Sequence, residues 1–122
     1  MTNEKFNKTL EPVLNGVPGV IGMIIINQDG IPIYFNGRFD VPLNKLSGYL
    51  AVCCETLKQA GELLGQEINT ILTEYNNLKL YQVKISSQYT LIIFFKIKDA
   101  YLGEIRRKIG KAVEELTSHL ST

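Results

Sequence analysis

The sequence from Gly19 to Gly37 reads GVIGMIIINQDGIPIYFNG and predicts a β-hairpin. Its first half, Val20 to Ile26, is almost continuously apolar, which is typical of a strand that is covered on both faces. The segment Gln28-Asp29-Gly30 favours a turn, because Asp bonds its own backbone and Gly tolerates a positive φ. The second run, Ile31 to Phe35, contains Pro32, which cannot donate to a strand ladder. We therefore expect a central strand, an edge strand, and helices over both faces of the sheet.

Composition indicates one globular domain, predicted to span residues 1–122. Hydrophobic residues make up 45% of the chain, which argues against disorder, and a net charge of +1 gives no basis for a nucleic-acid groove. No apolar run approaches the roughly 20 residues of a membrane-spanning helix, and the polar N-terminus does not resemble a secretory signal. The two cysteines, Cys53 and Cys54, are adjacent and poorly placed for a disulfide, so we expect a reducing, cytoplasmic compartment.

Hydrophobic periodicity predicts three helices. The first spans residues 3–14, with Pro12 expected to distort its last turn. The second runs from Pro42 to about Gly65, and the third runs from a cap at Asp99 to Leu120. The buried face of the third helix is predicted to contain Leu102, Ile105, Ile109, Ala112, Val113, Leu116 and Leu120.

Three further strands are predicted at residues 68–75, 78–85 and 89–97, with turns between them. The last contains the apolar run Leu91 to Phe95, which again suits a strand covered on both faces. The element order is therefore α-β-β-α-β-β-β-α. A five-stranded antiparallel sheet between helical layers, a three-layer α/β/α arrangement of the α+β class, accommodates both apolar runs.

The long second helix carries two stripes that we expect to be buried. The stripe predicted to face the sheet consists of Leu43, Leu46, Leu50, Cys53, Leu57, Ala60 and Leu64. The neighbouring stripe is mostly small and consists of Ser47, Ala51, Cys54, Lys58, Gly61 and Gly65. Each interior glycine costs roughly 1 kcal/mol relative to Ala, so we expect a second backbone to pack closely against this stripe. That backbone belongs either to a twin helix or to a loop of the same chain.

A third stripe of the same helix is the predicted partner-binding surface, because apolar side chains recur there away from the core stripe. It consists of Lys45, Tyr49, Val52, Thr56, Gln59 and Leu63. The alternative is that these side chains pack on the twin helix or its flanking loops.

The strand at residues 68–75, INTILTEY, contains no Pro, Gly or Lys. If this strand is the second edge of the sheet, it lacks the usual protection against pairing with another chain. We therefore predict a symmetric homodimer in which two copies of the strand pair across a two-fold axis and the long helices meet through the small stripe. The interface residues on the strand are Ile68, Thr70, Ile71, Leu72 and Thr73.

The chain resembles the roadblock / dynein light chain family over essentially its whole length. The resemblance rests on Val17-Pro18-Gly19-Val20, Gly22 to Ile26 and Asp29 to Ile33, together with the small residues of the long helix. The related longin fold lacks the leading helix, and Pro12 is a mild departure from the family pattern. The resemblance implies a roadblock-like (profilin-like) fold in a dimer, formed with a second copy or with another roadblock protein.

The resemblance also implies a function. A minimal chain of this kind is similar to stand-alone prokaryotic members, which are scaffolds that bind a small Ras-like GTPase and modulate its nucleotide cycle. Other members are adaptor subunits of larger assemblies such as dynein, without a GTPase. The resemblance therefore implies a non-enzymatic protein with no cofactor. The sequence itself does not separate the two roles.

Few residues suggest catalysis. No G-x-x-x-x-G-K-[ST] motif is present, so the chain is not itself a P-loop GTPase. His119 is the only histidine and has no sequence partner for a metal site or a triad. Glu55 and Glu62 are expected on a solvated face, and the run Arg106 to Lys108 is either a solvated helix face or a contact for an anionic partner. The third hypothesis is a small-ligand sensor or an enzyme. A buried pocket with convergent polar groups would favour it, and the sequence shows no such polar set.

Overall fold

The computed structural model describes residues 3–38, 40–96 and 102–120. The helices are α1 (Asn3–Gly16), α2 (Leu43–Leu64) and α3 (Leu102–Leu120), and the strands are β1 (Val20–Asn27), β2 (Pro32–Gly37), β3 (Thr70–Glu74), β4 (Lys79–Lys84) and β5 (Tyr89–Phe95). This is the predicted element order. The predicted cap at Asp99 and the predicted strand end at Ile97 lie outside the described residues.

The five strands form one antiparallel sheet in the order β2-β1-β5-β4-β3. The predicted hairpin is confirmed, because β1 pairs with β2, and β2 with Pro32 is an edge strand. The register shifts between Ile25 and Ile26, where Ile26 lies opposite Pro32. Strand β3 is the other edge, as the dimer hypothesis requires.

Helices cover both faces of the sheet, so the three-layer prediction is confirmed. Helices α1 and α3 pack over one face around a large core, and α2 alone covers the other face around a smaller one. In β1 the alternating side chains divide between the two cores: Met23 and Ile25 join the first, and Ile24 and Ile26 join the second. The continuous apolar run of β1 therefore follows from its central position in the sheet.

The hairpin turn depends on Asn27, which lies just before the predicted turn segment Gln28-Asp29-Gly30. The Asn27 side-chain oxygen accepts hydrogen bonds from the backbone amides of Asp29 and Ile31, at 2.9 and 3.0 Å. Gly30 follows the prediction, with a φ of +79°. The side chain of Asn27 therefore supports the turn together with Gly30.

Helix α1 extends through Pro12 to Gly16, two residues beyond the predicted end at residue 14, so the proline does not end the helix. Its contacts with α3 and β2 hold it in place. Thr9 Oγ1 donates to Glu115 Oε2 on α3 (3.1 Å), and the Phe6 ring packs at a tilt against the Tyr34 ring of β2. Tertiary packing therefore offsets the backbone hydrogen bond that proline removes.

Candidate interaction surfaces

The small stripe of α2 is largely used within the chain itself. Ser47 is 0% exposed and Gly61 is also buried. A Cβ on Gly30 of the hairpin turn would lie 3.0 Å from both the Ala51 Cβ and the Gly48 Cα. The chain's own turn therefore makes a close backbone approach to the N-terminal half of the stripe, which is the same-chain alternative of the prediction. Ser47 and Gly61 have little surface left for a second copy, and the predicted role of the stripe in a dimer stays a prediction.

The other members of the stripe divide between the chain interior and solvent. Ala51 and Cys54 are half-buried, whereas Lys58 and Gly65 are exposed. The Cys54 thiol donates to Gln82 Oε1 of β4 at 3.0 Å, and burial raises the pKa of this thiol. Cys54 is therefore a protonated thiol that has a hydrogen-bond partner in its own chain, and its predicted place in a dimer interface stays a prediction.

The leucine stripe of α2 does not face the sheet along its whole length. Leu50 is buried and Leu46 packs against the smaller core, but Leu57 is 40% exposed, Leu64 is 75% exposed, and Ala60 is also exposed. The prediction that all seven residues face the sheet is wrong for the C-terminal half. The described sheet and hairpin cover only the N-terminal half of α2, because the α2 residues of the smaller core are Leu43, Leu46, Leu50 and Ala51.

All six residues of the predicted partner-binding stripe are exposed. Its apolar members are solvated far beyond what a core position allows, with Leu63 91% exposed and Tyr49 and Val52 about two-thirds exposed. Thr56 donates to the Val52 carbonyl within the helix (2.8 Å). The stripe therefore presents three apolar side chains to solvent along α2, with polar members of the stripe between Val52 and Leu63.

The outer edge of β3 has no neighbouring strand in the described part of the sheet. Ile71 and Thr73 are half-buried on the face toward α2, and Leu72 is 40% exposed on the opposite face. Thr70 is exposed, and Ile68 lies half-buried just before the strand. The ladder groups on this edge are therefore placed to pair with a further strand.

An apolar groove lies between the N-terminal half of α2 and the β3–β4 end of the sheet. Its cavity volume is about 420 Å³. It is lined by Ile21, Val41, Leu46, Tyr75, Leu78, Leu80 and Phe94. The groove therefore opens beside Tyr75, just after the end of β3, and beside Leu46 in the N-terminal half of α2.

Polar hollows offer little for catalysis in the described part of the chain. A hollow of about 470 Å³ beside the C-terminal end of α2 has Lys58, Glu62, Glu67 and Lys84 in its wall, all solvent-exposed. Exposed charges are not the buried, convergent polar set that a small-ligand site needs. Among residues 3–38, 40–96 and 102–120, no three His, Cys, Asp or Glu side chains are grouped to hold a metal ion. His119 lies in α3, but its side chain is outside the described part.

The basic residues of α3 are mostly exposed, as predicted. Arg106, Arg107 and Lys111 are solvated, and the Arg106 guanidinium lies 5.6 Å from the centre of the Tyr81 ring. Lys108 has a structural contact, because its Nζ donates to the Gly16 carbonyl at the end of α1 (3.1 Å). None of the helices in the described ranges is both long and apolar enough to cross a bilayer.

Solved structures share this fold over nearly the whole chain. The gliding protein MglB from Thermus thermophilus aligns with a TM-score of 0.85 and 20% identity over 95% of this chain and 88% of that chain. A second structure, described as MglB with a tetrameric arrangement, has a TM-score of 0.86 with the same identity and coverage. A Roadblock/LC7 domain from Streptomyces avermitilis has a TM-score of 0.85 and 14% identity, over 95% of this chain and 98% of that chain. No family model and no curated protein matches the chain.

Proposed function

From the Roadblock/LC7 fold of this chain, we propose that it is a dimeric, non-enzymatic scaffold that binds a small Ras-like GTPase and modulates its nucleotide cycle. The observation that carries the proposal is the row of exposed apolar side chains on α2, centred on Val52. A surface of this kind favours a protein partner. The GTPase class comes from the resemblance to stand-alone roadblock proteins.

The proposed dimer forms through the open edge of β3, with residues 68–73 at the two-fold axis. A strand added to this edge would extend the sheet across both copies. On α2, the structure favours the exposed side that carries Leu57, Ala60 and Leu64 over the small stripe, because Ser47 and Gly61 are buried in their own chain. The tetrameric arrangement described for one MglB structure is a precedent for self-association of this fold.

The two sides of α2 then have separate roles. Leu57 and Leu64 face the second copy, and Tyr49, Val52 and Leu63 are about one residue position, or roughly 100°, further round the helix. In a dimer the second side stays exposed on both helices. The two copies together would offer one broad docking surface to the GTPase.

The test is capture of small GTPases from a lysate of the source cells on the immobilised protein. The lysate is divided between GDP and a non-hydrolysable GTP analogue, and bound GTPases are identified by mass spectrometry. We expect a Ras-like GTPase in one nucleotide state and its loss with Val52→Glu, which places a charge in the apolar row. Glu55→Gln, on a neighbouring polar face of the same helix, is the matched control and retains binding.

Two results would count against the proposal. Recovery of no GTPase in either nucleotide state would argue against the partner class. Recovery of other proteins that depend on Val52 would favour the adaptor role instead. Addition of the purified protein to a captured GTPase, with phosphate release followed over time, then measures any effect on hydrolysis.

A further inference from the structure

The two ends of α2 differ in a way that makes the helix complementary to a second copy of itself. At the N-terminal end, Leu46 lines the open apolar groove of about 420 Å³. At the C-terminal end, Leu64 protrudes with 75% of its surface exposed. One end therefore has an apolar hollow and the other has an apolar side chain without a pocket in the described chain.

Helix geometry places these two features on the same side. Leu46 and Leu64 are 18 residues apart, which is about five turns at 3.6 residues per turn, so they point in the same direction. At 1.5 Å per residue they are about 27 Å apart along the helix axis, so Leu64 cannot enter the groove of its own chain. Another chain has to supply the occupant.

Strand β3 provides the symmetry that brings them together. Tyr75, just after the end of β3, lines the groove beside Leu46, and the 65–69 connection joins the start of β3 to the far end of α2. Strand β3 therefore runs back along α2. A two-fold axis through the middle of the β3 edge would reverse α2 in the partner and place each C-terminal end beside the other chain's groove.

We propose that Leu64 of each copy inserts into the apolar groove between α2 and Tyr75 of the other copy, so that the same contact stabilises the dimer at two places. This inference rests on the proposed dimer and deepens it, because it assigns a specific occupant to the groove. The insertion buries an exposed leucine side chain at each site. Since the interface is isologous, both contacts form or neither does.

Two charge variants test this contact by sedimentation equilibrium of the full chain. Leu64→Lys and Tyr75→Glu each place a charge in the proposed contact, and we expect each to raise the dimer dissociation constant at least tenfold. Both side chains are well exposed, so the variants should keep the wild-type circular dichroism spectrum. Glu62→Lys is the matched control: Glu62 is exposed two residues before Leu64 and points about 200° away, so the dissociation constant of this variant should stay within twofold of wild type.

Mixing the two variants gives a second readout. A heterodimer of the Leu64→Lys and Tyr75→Glu chains contains one Lys–Glu contact and one native contact, so it should form in preference to either homodimer. Native mass spectrometry of the mixture measures this preference. A wild-type dimer whose dissociation constant is unchanged by both variants would overturn the contact and leave the dimer intact. A wild-type chain that is monomeric at micromolar concentration would instead overturn the dimer itself.

Discussion

At the scale of single residues, two glycines of α2 should respond to alanine with opposite signs. A Cβ on Gly48 would have no heavy atom of the described chain within 4 Å, whereas a Cβ on Gly61 would lie 2.7 Å from the Gln66 carbonyl oxygen. Gly48→Ala should raise the free energy of unfolding by about 0.5–1 kcal/mol through helix propensity. Gly61→Ala should lower it by about 1–3 kcal/mol, because the clash involves backbone.

Urea unfolding at one fixed protein concentration measures both changes. The two variants serve as controls for each other, since the substitution and the helix are the same. Stabilisation by both alanines would mean that the connection after α2 does not fold back tightly over Gly61. The hydrogen bond from the Gln66 amide to the Gly61 carbonyl (2.9 Å) would then not define the end of this helix.

The half-buried thiol of Cys54 should make the free energy of unfolding fall at alkaline pH. Burial raises its pKa in the folded chain above the ordinary value of 9.0, so the unfolded chain releases this proton at a lower pH. The stabilisation is complete well below pH 9 and is lost as the pH rises through the folded-state pKa. In Cys54→Ser the serine hydroxyl keeps a donor for Gln82 but does not titrate in this range. Between pH 7.5 and 9.5 the free energy of unfolding of this variant should therefore fall less than that of wild type. If urea unfolding shows that wild type and Cys54→Ser lose the same free energy of unfolding over this range, the loss does not come from Cys54.

At the scale of elements, one lysine connects α1 and α3. Lys108 Nζ donates to the Gly16 carbonyl, and Glu104 Oε1 lies 3.8 Å from the same nitrogen. A cation at the C-terminal end of α1 also complements the helix dipole. Lys108→Met keeps the aliphatic stem and should lower the free energy of unfolding by about 0.5–1 kcal/mol. Lys111→Met is the control, because Lys111 is exposed on the same helix. Thermal unfolding measures both variants, and an equal loss of stability in the two would argue against a cap by Lys108.

At the same scale, the elements were largely predictable from the sequence, but the length of α2 that the chain itself covers was not. Strand β1 and the buried face of α3 were identified correctly, because period and apolar content determine them. On α2, Leu46 and Leu64 point in the same direction, so periodicity alone could not show that this side is covered near Leu46 and exposed near Leu64. The close contact of Gly30 with the N-terminal half of α2 joins segments that are distant in sequence, which local periodicity does not indicate.

The candidate surfaces were also only partly predictable from the sequence. The predicted partner stripe is exposed, since no neighbouring element of the described chain covers it. The apolar groove was missed, because its wall combines residues from α2, β1 and the β3–β4 turn. No local signal in the sequence indicates such a groove. Gln82 was also missed, since its buried contact with Cys54 depends on where α2 crosses the sheet.

At the scale of the whole molecule, a dimer through β3 makes thermal stability depend on protein concentration. Binding of a second copy stabilises only the folded chain, so the unfolding midpoint should rise with protein concentration. By mass action, each hundredfold increase adds up to about 2.7 kcal/mol of stabilisation per dimer, or about 1.4 kcal/mol per chain. Leu72→Lys places two like charges near the proposed axis and adds the lysine that natural edge strands use against pairing. This variant should show a nearly constant midpoint.

The control for this prediction lies on the opposite edge of the sheet. Phe35→Lys on β2 introduces the same charge at a side chain of similar exposure, far from the β3 edge in the strand order. It should lower the midpoint but keep its dependence on concentration, because it leaves the self-association surface unchanged. If wild type and Leu72→Lys depend on concentration equally, the two copies do not meet at β3. If neither depends on it, β3 is a solvated edge, and the docking surface on α2 belongs to a single chain.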